Sequence, residues 1–162
     1  MKTNEYNVDH ALQVAIEMER MGKTFYESLA MGCGDSPRIA ALAADLAKAE
    51  TSHIGFFKQM LSELSSSKRG PQLTPKEVYE AARELRVEII PGPSAVLNAV
   101  LTSDIKKALE MAIDMESASV AYYKQLSLNT KPEDAEILTR IIEEENKHLE
   151  ALRQRRADKE TV

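Results

Sequence analysis

ETSH at positions 50–53 puts a glutamate and a histidine three residues apart in a run rich in Ala, Leu and Phe. Residues three apart share a helix face, so Glu50 and His53 can reach for one object. ENKH repeats the spacing with Glu145 and His148. One such pair reads equally well as a surface ion pair or as two metal ligands. The second copy, and what precedes each copy, decides between them.

Each pair follows, one hairpin earlier, an acid in a repeated sequence. ALQVAIEMERMGKTFYESLA from Ala11 and ALEMAIDMESASVAYYKQLS from Ala108 align 97 positions apart. The alignment matches Glu19 with Glu116, Tyr26 with Tyr123, Leu29 with Leu126 and Glu17 with Asp114. AETSHIGFF and EENKHLEAL align 95 positions apart, the first hairpin connection reading as two residues longer.

The candidate metal ligands are therefore Glu19, Glu50, His53, Glu116, Glu145 and His148. Two single glutamates and two Glu-x-x-His pairs, all directed inward, form the ligand set of di-iron and di-manganese carboxylate bundles. Carboxylates can bridge two metals and change their mode of binding, and each imidazole adds a neutral nitrogen. An oxygen-rich set of this kind suits iron or manganese. Buried acids lacking a counter-charge would be costly, which favours the same reading. Tyr26 and Tyr123 each follow their glutamate by seven residues, about two turns, and so share its face. A phenol there can hydrogen-bond a ligand carboxylate or a bound oxygen species and supply a proton, which makes both tyrosines candidate catalytic groups. The plain alternative is a core aromatic with a satisfied hydroxyl.

Four long helices must carry these residues. The first is expected from about Val8 to Met31, with apolar residues at Leu12, Ala15, Ile16, Met18, Phe25 and Leu29. The second opens with Ser36 as cap and Pro37 in the first turn, and runs to about Ser66. The third opens with Thr102 or Ser103 as cap and ends near Leu128. The fourth opens on a Thr130–Glu133 capping box and gives way to a fraying charged tail, RQRRADKETV. Between the second and third lie about 36 residues, 67–102, too many for a turn. A short helix is expected within them, with Thr74, Pro75 and Glu77 as its opening signature. Two helical hairpins joined by one long crossover give an all-α, ferritin-like four-helix bundle.

The whole chain, 1–162, reads as one such domain, long enough to bury its own core. Its net charge of −5, with both signs interspersed, argues against nucleic acid or an anionic membrane as partner. Cys33 is the single cysteine, so no intrachain disulfide is possible, and it falls in a loop, MGCGDS. The first residues lack the apolar core of a signal peptide, and no apolar run is long enough to span a bilayer. A cytoplasmic location is expected. His10 has no matched partner and reads as surface. AVLNAVL in the crossover can cover the bundle or form a dimer contact.

AIEMERMGKTFY, ETSH, AIDMESASVAYY and ENKH together resemble the rubrerythrin branch of the ferritin-like superfamily. The resemblance covers nearly all of the chain apart from the crossover. It implies a non-haem centre of two irons, reduction of hydrogen peroxide or oxidation of ferrous iron by oxygen, and a homodimer. Rubrerythrins proper also carry a rubredoxin-like domain with two Cys-x-x-Cys knuckles, which a chain with Cys33 alone cannot build. Electrons would then come from an external donor such as a rubredoxin-like protein. Ser119 stands where rubrerythrins proper have an additional glutamate, the carboxylate toward which an iron would move. The expected function is peroxide reduction. Ferrous-iron oxidation and handling, manganese catalase chemistry and a non-enzymatic helical interaction protein are the alternatives.

Overall fold

The computed structural model describes residues 8–32, 37–87, 104–128 and 132–160. Its helices are α1 (Val8–Gly32), α2 (Pro37–Glu63), α3 (Pro75–Val87), α4 (Ile105–Leu128) and α5 (Pro132–Glu160). The all-α, ferritin-like arrangement expected from the repeat is what forms: α1 pairs with α2 and α4 with α5, as two hairpins. Pro37 and Pro132 open the second helix of each hairpin, where the absent N–H has no intrahelical partner to lose.

Several boundaries differ from expectation. The α4 cap is Asp104, whose Oδ1 accepts from the Lys107 amide at 3.0 Å. Neither Thr102 nor Ser103 is the residue before the helix. A carboxylate at this position both satisfies an orphan amide and complements the helix dipole. α2 stops at Glu63, short of Ser66, and the serine-rich segment makes a 3₁₀ turn at Ser66–Lys68 instead. Serines compete locally for backbone groups and extend helices poorly. α5 continues through the charged tail to Glu160. Leu, Arg, Gln, Ala, Lys and Glu are strong helix formers there, and Arg155 pairs with Asp45 of α2 at 2.9 Å. The expected Ser36 cap, the Thr130–Glu133 box, Cys33 and AVLNAVL lie outside the described residues and side chains.

The core has two halves. In one, Tyr26 and Leu29 of α1 and Ile39–Ala47 of α2 pack with Ala108–Val120 of α4 and with Leu149 and Leu152 of α5. In the other, Val8–Ile16 of α1, Phe57 and Met60 of α2 and Leu64 just beyond it pack with Tyr123 and Leu126 of α4 and with Leu138 and Ile141 of α5. α1 and α4 are therefore antiparallel, as are α2 and α5. α2 ends in the second half and α4 begins in the first. The connection between them must return along the bundle, roughly 36 Å for a helix of 24 residues. That is why it is long.

The described part of the crossover is fixed to α1. α3 packs Ala81 and Ala82 against Val14 and Met18. Its capping box forms as expected: Glu77 Oε2 accepts from the Thr74 amide at 2.7 Å, and the Glu77 amide donates to Thr74 Oγ1 at 3.3 Å. Asp9 is buried in the first turn of α1, where it accepts from Gln13 Nε2 at 2.8 Å and from the Gly70 amide at 3.1 Å. His10, expected at the surface, is partly buried and lies with Nε2 2.7 Å from the Pro71 carbonyl. Adjacent side chains at the start of α1 thus hold the segment leaving α2.

Candidate metal centre

Between the two halves of the core lies a polar layer. Glu19, Glu50, Glu116 and Glu145 are at most 2% exposed, and each comes from a different helix. His53 and His148 follow Glu50 and Glu145 by three residues and turn to the same layer. The helical repeat explains the convergence. Met18 and Tyr26 flank Glu19 along the buried stripe of α1, and Met115 and Tyr123 flank Glu116 along that of α4. A residue within such a stripe points inward whatever its polarity.

All six sequence candidates are brought together. His53 Nδ1 lies 3.2 Å from Glu19 Oε2 and 3.6 Å from Glu145 Oε1. His148 Nδ1 lies 3.3 Å from Glu116 Oε2. The first histidine is thus paired with the glutamate of α1 and the second with that of α4, as the repeat requires. The two imidazoles meet edge-on, their centroids 4.9 Å apart. Ligand atoms of Glu50, His53 and His148 lie within 4.8 Å of one another, and so do those of Glu19, His53 and Glu145. His53 belongs to both groups and joins them.

The donor set fits a pair of divalent cations. Four carboxylates and two neutral imidazoles balance the charge of two such ions. Taking the four negative charges out of water without compensation would cost on the order of several kcal/mol each, even after the surroundings relax. The electrostatics of the cluster's own side chains show the same demand for positive charge. Burial pushes the His53 ring down, but its hydrogen bond to Glu19 and the charges of Glu19, Glu116 and Glu144 outweigh this and hold it above the usual imidazole range. A proton on His53 supplies charge that a cation can supply instead. The ring nitrogens of His148 are buried and make no hydrogen bond among the described residues.

Both tyrosines are buried. Tyr26 donates its hydroxyl to Glu116 Oε1 at 3.4 Å, reaching the glutamate of the other repeat. The Tyr123 hydroxyl lies 3.9 Å from Met18 Sδ. Equivalent in sequence, the two meet different neighbours. Sequence reasoning treats Met18 only as a core residue and does not single out Gly22. Gly22 is buried one turn after Glu19 and matches Ser119 in the repeat. That match is visible in the same alignment.

A helical bundle with a buried carboxylate–histidine layer is the class defined by this geometry. The Rubrerythrin family model matches residues 10–91, just over half of the chain. The chain belongs to the rubrerythrin family, a family of non-haem di-iron, iron-binding proteins. The match covers Glu19, Glu50 and His53, while Glu116, Glu145 and His148 are carried by the internal repeat and the geometry. Comparison with curated proteins and with solved structures found no match.

Proposed function

We propose that this protein is a di-iron oxidoreductase that reduces hydrogen peroxide with electrons from a donor outside these 162 residues. The observation that carries the reading is the pairing of Glu19 with His53 and of Glu116 with His148, with Glu50 grouped with both histidines and Glu145 with Glu19 and His53. In this assignment Glu19 and His53 would hold one metal ion and Glu116 and His148 the other, with Glu50 and Glu145 available to both. Manganese is the other metal this set accepts.

Bound iron supplies two electrons and a Lewis acid for breaking the O–O bond. Reduction of hydrogen peroxide to two waters would consume two electrons and two protons, and the protons are what this chain's own residues would have to deliver. The protein's part is positioning and proton supply. The apolar halves of the core close the layer from both ends, so charges within it act at low dielectric. Glu116 accepts the Tyr26 hydroxyl on one oxygen and has the His148 ring 3.3 Å from the other. Tyr26 is a proton source beside a carboxylate, and Tyr123 is the second candidate.

The test is anaerobic reconstitution with ferrous iron, a count of metal per chain, and separate mixing with peroxide and with oxygen. Two irons per chain oxidised far faster by peroxide is the expected result. Preference for oxygen, with turnover of excess ferrous iron, would favour iron oxidation instead. A chain that binds no iron or manganese would refute the metal reading.

A further inference from the structure

Ser119 is 1% exposed, and its hydroxyl has no hydrogen-bond partner among the described residues. It lies one turn after Glu116 and one turn before Tyr123 on the buried stripe of α4. Both neighbours face α1: Tyr26 reaches Glu116, and Tyr123 reaches Met18. Counting along the two antiparallel helices between these contacts places Gly22 of α1, buried and without a side chain, level with Ser119. The repeat makes Gly22 and Ser119 equivalents of each other, 97 positions apart, so each hairpin offers a small residue at the same level.

Buried hydroxyls normally find a partner, and this one borders a cluster of carboxylates. We propose that Ser119 donates its hydroxyl to a small oxygen ligand, peroxide or its water product, held between Ser119 and Gly22 on the α1–α4 side of the metal layer. Gly22 puts no side chain at this level, and the serine would supply the polar contact that orients the ligand. The Tyr26–Glu116 contact lies on one side of this level and the Tyr123–Met18 contact on the other. The inference rests on the metal reading given above, and its test separates the two.

Azide is the probe: a small anion that accepts hydrogen bonds and can be titrated spectroscopically into iron-loaded protein. Ser119→Ala should bind the same amount of iron as wild type and bind azide about five- to tenfold more weakly, the loss of one hydrogen bond. Gly22→Ala should also keep its iron and weaken azide, by narrowing the space. With no metal present, Ser119→Ala should melt no lower than wild type, since the hydroxyl it removes has no partner among the described residues. Unchanged azide affinity in Ser119→Ala would overturn the proposal. A lower melting temperature for that variant without metal would also overturn it, because the hydroxyl would then be serving the fold. Loss of iron binding by wild type itself would refute the metal reading rather than the role of Ser119, which the metal-free melting comparison still tests.

Discussion

Glu116 receives the Tyr26 hydroxyl on Oε1 at 3.4 Å and faces His148 Nδ1 from Oε2 at 3.3 Å. One carboxylate of α4 is thus hydrogen-bonded by a phenol of the first hairpin and approached by an imidazole of the second. Tyr26→Phe removes the first of these. Outer hydrogen bonds to ligand carboxylates typically alter metal affinity by ~10–100-fold. The contact is long, so the low end is expected: about tenfold weaker iron at one of the two positions, with the stoichiometry retained at saturation. Anaerobic iron titration of the variant checks this, and two unchanged affinities would remove Tyr26 from the site.

Much of this arrangement was legible in the sequence because helical bundles turn linear spacing into shared faces. The spacing of Glu50 and His53, repeated at Glu145 and His148, set their common direction. The repeat of Glu19 as Glu116 supplied the other two helices. What spacing along one helix could not give was the partner across the bundle. Tyr26 shares a face with Glu19 by periodicity, yet its hydroxyl reaches Glu116, because α1 and α4 run antiparallel. The same limit hid the contact of Tyr123 with Met18. Helix ends were misplaced where local chemistry competes, as with the Asp104 cap and the serine-rich end of α2. Asp9 escaped notice because an acid in a first helical turn is ordinarily a solvent-exposed complement to the dipole, whereas here it is a buried acceptor for Gly70.

Four glutamate carboxyls share one buried layer, where like charges would repel one another with no cation present. Glu50→Gln removes one of these charges from the centre of the layer. The metal-free variant should melt at or above the temperature of metal-free wild type. Its iron content should fall from two to one or none. Iron should then stabilise it far less than it stabilises wild type, where free metal at a thousandfold excess over the dissociation constant contributes about 4 kcal/mol. Calorimetry with and without chelator measures both differences. A variant that keeps two irons and the full metal-induced shift would refute the assignment of Glu50 to both metal positions.

Asp9 is 3% exposed and accepts two hydrogen bonds, one from Gln13 and one from the Gly70 amide. Asp9→Ala leaves that amide without its acceptor and releases the segment that leads into α3. The expected cost is about 1–3 kcal/mol, or roughly 2–4 °C of melting temperature for each kcal/mol in a chain of this size. Asp9→Asn retains an acceptor and should lose less. Iron stoichiometry should survive both changes, since Asp9 serves the crossover and not the metal layer. Loss of iron in Asp9→Ala at a temperature where the protein remains folded would show that crossover docking also shapes the site.

Glu77 makes α3 sensitive to acid. Its carboxylate accepts from the amide and the hydroxyl of Thr74, at 2.7 and 2.8 Å, and these bonds hold its carboxyl below the ordinary glutamate value of 4.5. Desolvation acts weakly against them, and a nearby positive charge on His10 adds to them. Because the folded value is depressed, the contribution of Glu77 is present above pH 4.5 and is lost as pH falls through the folded value. Thr74→Ala should therefore move the Glu77 titration upward toward 4.5 when it is followed by NMR. Amide exchange in the first turn of α3 should be faster in this variant at neutral pH, and the difference from wild type should shrink in acid. A Glu77 titration left in place by Thr74→Ala would assign the shift to the Thr74 amide, which that variant retains, and to His10; His10→Gln then separates the two.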